Sequence, residues 1–230
     1  MPTFEGLFAA LLALLVAGVA VALFLLLRRS GVSPAMTELG RGHFAAALAA
    51  ARTGPRAERD ELWAAAVAAK HLLRFDEAAA LLDRLLAADP KDGEARVEAG
   101  LVAAYRGGPG DLEAAERELS AAAAERSDLA ESITLHRAWI ALRRGDTLTA
   151  RRRFDEVEAP LESKLRSDLG SGEPLFAEWF WQAAALWAAA CDAERAAWAA
   201  REGSASAPES RLPAVLLTDA PPPSATMGGS

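Results

Sequence analysis

After residue 35 the apolar residues recur at steps of three and four, not in alternation. Between residues 60 and 90 they fall at Leu62, Ala65, Ala66 and Ala69, then at Ala78, Leu82, Leu85 and Leu86. That spacing predicts two amphipathic helices. A polar turn at Arg74 and Asp76 joins them, and Asp89-Pro90 closes the pair, because a helix does not easily continue through such a dipeptide. Two helices of this length cannot bury their apolar faces alone, so further copies are expected alongside. The pattern restarts at Ala99, Gly100 and Ala103, and again at Leu112, Ala115 and Leu119 after a glycine-rich turn at 107–110. It restarts once more at Ala150, Phe154 and Val157 after Gly145-Asp146. A further pair is expected from Phe180, Ala183, Ala184 and Trp187 with residues 192–201, after an inserted stretch at 162–173. Ala78, Ala115 and Ala150 stand 37 and 35 residues apart. The expected fold class is all-α: an N-terminal transmembrane helix followed by an α-solenoid of helical hairpins.

Residues 6–27 break this pattern. They are 22 consecutive uncharged, mostly large apolar residues. As a helix they would span about 33 Å, against about 30 Å for the hydrocarbon core of a bilayer. A cleaved signal peptide fits less well: the first five residues hold no basic side chain, and the run exceeds the usual ~7–15 residues. The chain is therefore read as an anchor at 1–29, a linker at 30–40, helical repeats at 41–202 and a disordered tail at 203–230. Arg28, Arg29 and Arg41 follow the apolar run and no basic residue precedes it, which predicts a cytoplasmic C-terminal part. Ala9, Ala13, Ala17, Gly18 and Ala22 are spaced for helix pairing and make self-association in the membrane an expectation.

Composition adds exclusions. The net charge is −7, and past residue 29 it is −8, from 23 basic and 31 acidic side chains, so a nucleic-acid partner is not expected. A single cysteine rules out an internal disulfide framework. His43, His71 and His136 lie on different repeats with no metal-ligand spacing, no phosphate loop is present, and no nucleophile follows a strand. Neither an enzyme nor a cofactor or metal is expected. Past Gly203 serine, alanine and proline dominate, broken by a short apolar island at 212–217.

The repeated unit resembles the tetratricopeptide repeat. That family opens the second helix of a unit with glycine, any residue, an aromatic, and an alanine three positions on. Gly42, Phe44 and Ala47 fit this, and residues 59–92 match the ~34-residue unit, with Phe75, Ala78, Leu82, Leu85 and Pro90 at its marked places. In the first helix of that unit Leu62, Ala65, Ala66 and Ala69 depart from the preferred residues but stay apolar. The resemblance covers about residues 40–200 and implies that first helices line a concave groove. Carried over, the groove would present Trp63, Val67, Lys70 and His71 from the first full unit. The second would add Val97, Leu101 and Tyr105, and the third Leu135, Trp139 and Arg143. Such a strip suits an amphipathic helix or an extended peptide with apolar anchors. It does not suit an acidic C-terminus, since the chain has no asparagine. Trp179, Trp181 and Trp187 crowd one helix and form either a capping helix or an aromatic docking patch.

The expected role is a membrane-tethered scaffold that recruits or steadies protein components of a complex at the bacterial inner membrane. The alternative is a periplasm-facing, chaperone-like adaptor in envelope or cytochrome assembly.

Overall fold

A computed structural model describes residues 33–55, 57–167 and 174–217. The expected anchor at 6–27, most of the linker and the chain past 217 lie outside the described residues. Among the described residues no helix is long and apolar enough to cross a membrane. The described helices all belong to one compact unit, which begins at Pro34.

Among the described residues there are eleven α-helices and no strand. Ten of them form five hairpins. These are α1 (Pro34–Gly40) with α2 (Phe44–Ala50), α3 (Arg59–His71) with α4 (Phe75–Ala88), and α5 (Gly93–Arg106) with α6 (Asp111–Glu125). Then come α7 (Ala130–Arg143) with α8 (Thr147–Leu165), and α9 (Ala177–Ala189) with α10 (Ala193–Ser206). A short α11 (Pro213–Leu216) completes the order, and each hairpin packs on the next in a solenoid-like succession.

The hairpins share one turn device. Gly42, Leu73, Gly110, Gly145 and Cys191, each just before a second helix, have φ between 62° and 81°. At four of the five turns the next residue donates its N–H to a carbonyl five residues back: His43 to Glu38, Arg74 to Ala69, Asp146 to Ala141 and Asp192 to Trp187, at 2.8–3.0 Å. This left-handed closure satisfies carbonyls at the end of the first helix and reverses the chain in two residues. The α5–α6 turn is longer. There Gly107 is also left-handed, and the Gly108 N–H is taken by Asp111 Oδ2 at 2.8 Å. Small residues then set the helix separation. Ala47, Ala78, Ala115 and Ala150 are at most 2% exposed, and a Cβ on Gly100 would lie 3.0 Å from Leu119 Cγ.

Three boundaries differ from the sequence reading. The linker ends at Ser33: Pro34–Gly40 is helical and buries Ala35 and Leu39 completely. Helix α8 runs on through Pro160 to Leu165, because Leu161 and Leu165 continue its buried stripe. The segment from Gly203 to Leu217 is structured as well. α10 continues to Ser206, and Ala207, Leu212 and Leu216 are at most 1% exposed, so the apolar island packs on the domain it follows.

Candidate functional site

First helices are buried on most sides and second helices on one. Ten of the 13 residues of α3 and ten of the 13 of α9 are buried, against four of 14 in α4 and two of 14 in α10. The interior they share is mostly apolar and holds one extended polar cluster, built from four first helices; Glu61 of α3 is buried apart from it, against Arg52. Lys70 sits in the last turn of α3, and its Nζ lies 2.5 Å from Glu178 Oε2 of α9 and 2.7 Å from Glu98 Oε2 of α5. The Tyr105 hydroxyl of α5 donates to Glu178 Oε1 and accepts from Gln182 Nε2 at 2.6 Å. Gln182 Oε1, one turn after Glu178, accepts from His136 Nδ1 of α7 at 2.7 Å, which places the proton of that imidazole on Nδ1. Beside Lys70, the His71 ring stacks flat on Phe44 at 4.0 Å and pairs with Ser210 Oγ at 2.9 Å. The His71 carbonyl accepts from the Arg211 N–H at 2.8 Å.

The charges follow from this geometry. Burial pulls Lys70 toward neutrality, but Glu178 and Glu98 outweigh it and hold the ammonium charged. Burial pushes Glu178 up, yet Lys70, with His136 and His71, brings it down to about 2. Glu98 goes the other way: burial and the neighbouring Glu178 charge outweigh Lys70 and raise it. Burial and the Lys70 charge lower His71 to about 3, and burial lowers His136. Tyr105 is raised well above its ordinary value by burial and the Glu178 charge. The interior therefore holds an ionised Lys70–Glu178 pair among neutral imidazoles and a neutral phenol.

The expected groove residues are brought together but not left open. Val67, Lys70, His71, Leu101, Tyr105, Leu135 and Trp139 are each at most 2% exposed, and Val97 is 8% exposed. Trp63 and Arg143 are half-buried, the Arg143 guanidinium lying 5.3 Å from the Trp139 ring centroid. The open strip is corrected to a filled interior, for a physical reason. Fully buried alanines at 64, 68, 104 and 138 let the first helices approach closely, and α9 lies against their inner faces. Of the two readings of the tryptophans on α9, burial fits the capping helix and not the docking patch. Trp181 and Trp187 are fully buried, and only Trp179 keeps partial exposure, since α9 is apolar nearly all round and buried accordingly. Trp187 donates Nε1–H to Glu158 Oε1 at 2.9 Å.

Sequence reasoning missed Glu98, Glu178 and Gln182. A signal existed: Glu178 and Gln182 stand four apart in an otherwise apolar helix, and Lys70 is a lone charge near the end of an alanine-rich one. Glu178 and Gln182 are buried and Glu98 is partly so, and their side chains join helices to one another.

An open cleft of about 600 Å³ lies at the turn edge, where α7 and α9 end and α8 and α10 begin. Leu142, Phe154, Leu186 and Ala189 line it, with Arg151 and Arg195 at the rim. Leu148, in the first turn of α8, is 81% exposed beside it, the most exposed large apolar side chain among the described residues. Comparison of the chain with protein-family models, curated proteins and solved structures found no match to any of them.

Proposed function

We propose that this chain is a bilayer-tethered scaffold of tetratricopeptide type, which holds a protein partner at a membrane and carries out no chemistry of its own. The observation that supports this most is the recurring left-handed turn residue at Gly42, Leu73, Gly110, Gly145 and Cys191, one unit used five times. Stacked units of this kind offer extended surface and ordinarily serve binding; that step is an analogy from fold. Because the chain fills its own concave side, the partner is assigned to the turn edge. There the Leu142–Phe154–Leu186 cleft suits an apolar side chain of a partner segment, and Arg151 and Arg195 flank it. Residues 6–27 supply the tether, with the C-terminal part on the cytoplasmic side. Tethering raises local concentration, so modest affinity suffices.

The test has two arms. Full-length protein should stay with membranes through an alkaline wash, and the chain lacking residues 1–29 should not; release of both removes the tether. Capture from detergent-solubilised membranes should then recover a partner with the wild-type chain and lose it with Leu148→Glu. Equal recovery from both sinks the cleft. Trp139→Ala is no test of docking, since that ring is 1% exposed and its loss disturbs the fold.

A further inference from the structure

We propose that the Lys70–Glu178–Tyr105 cluster is a latch that seats the C-terminal segment, α9 to α11, on the inner faces of α3 and α5, so that this segment opens as a unit ahead of the rest. Lys70 and Glu178 are 108 residues apart in sequence, yet their charged atoms meet at 2.5 Å with side chains 1% and 5% exposed. Four first helices supply the groups of the cluster, with Arg143 of α7 set apart from them over the Trp139 ring. α3 offers Lys70 and His71, α5 Glu98 and Tyr105, α7 His136, and α9 Glu178 and its neighbour Gln182.

The apolar contacts of this interior are non-directional and tolerate sliding. Charged groups sealed from water do not, because a displaced carboxylate would stay desolvated without a partner. The polar cluster therefore fixes one seating of α9 and makes its release an all-or-none event. Behind α9 the ties are of another kind. α10 buries only Ala199 and Gly203 within its own length and meets α8 through part-exposed contacts that water can replace, Arg195 with Glu158 and Glu162 and Arg166 over the Trp198 ring. The Arg211–His71 and Ser210–His71 bonds hold the approach to α11. Open, the latch presents Lys70 and Tyr105 as two donors converging on a carboxylate, a face that takes a helix bearing one.

Hydrogen exchange of the full-length protein in detergent tests this. Glu178→Gln should speed exchange of the α9, α10 and α11 amides at least tenfold, α10 included, although it carries none of the latch groups. Amides of α4 and α6 should change less than twofold. A rise spread equally over α4 and α6, or none in α9 to α11, overturns the latch. Tyr105→Phe removes a single hydroxyl and decides the matter if the first variant does not fold. It should show the same segmental pattern at several-fold, and a uniform or absent response overturns the proposal equally.

Discussion

The first and second helices of the hairpins are drawn from one alanine-rich chain, yet they hold charge in opposite ways. On α3, α5 and α9 the charged groups Lys70, Glu98 and Glu178 face inward and are spent on one another. On α8 and α10 the arginines spread over the surface: Arg151 reaches Asp155 at 2.6 Å, and Arg195 reaches Glu158 at 2.7 Å and Asp192 at 2.6 Å. The geometry of the pairs is alike, and the surroundings differ. In the interior a lost partner strands a desolvated charge, whereas at the surface water replaces it. Ion-pair distance alone therefore says little about what a pair contributes.

The largest effect expected breaks the comparison on its inner side. Lys70→Met leaves Glu178 and Glu98 facing each other without a cation and should cost about 3–5 kcal/mol in denaturant unfolding. Arg151→Ala, in an exposed pair of the same length, should cost no more than about 1 kcal/mol. Similar losses for the two would end the distinction.

Acid sharpens the comparison next. His71, held at about 3, and His136 stay neutral in the folded chain, while the unfolded chain takes up protons below about 6.5. The unfolded state then binds more protons, so their stabilising contribution is complete above that pH and is lost on acidification, by up to about 1.4 kcal/mol per pH unit for each ring. Glu178, at about 2, adds loss in the same direction below its ordinary range, and the raised Glu98 opposes it. The melting temperature should fall from pH 7 to 5, and His71→Phe, which keeps a ring against Phe44, should flatten that slope. An unchanged slope would mean that the ring is not held neutral.

A smaller effect comes from the seam between a first and a second helix. A Cβ on Gly203 of α10 would lie 2.7 Å from Trp181 Nε1 and 3.0 Å from the Ala177 carbonyl. Gly203→Ala should therefore destabilise by about 1–3 kcal/mol. The smallest effect tests the turns. Cys191 is exposed and left-handed at φ 62°, so Cys191→Gly should stabilise by about 0.5–1 kcal/mol, while Gly145→Ala, at φ 77°, should destabilise by about as much. Thermal unfolding of the two variants settles the sign of each.

Much of the hairpin succession was legible in the chain. The step of three and four at Leu82 and Leu85, the restart at Ala115 and Ala150, and the glycine before Phe44 and Thr147 are local signals, and local sterics write them into adjacent residues. The interior was not legible. Lys70 and His71 read as groove-facing from their place in the unit, but whether a groove stays open depends on how closely successive units approach. That is summed over five hairpins and appears in none of them singly. Trp181 and Trp187 were left open between a capping helix and a docking patch for the same reason: one partner helix could not bury them, but several helices do.

From its own residues the chain determined that it would be helical, where its turns would fall and which face of the first four second helices would be buried, because helix propensity, periodicity and turn sterics act within a few residues. Only the tertiary structure decided that the inner faces would be sealed against one another, and that a lysine in α3 would find its carboxylate in α9. Burial and ion pairing depend on which distant groups arrive at the same place, and sequence spacing does not carry that distance.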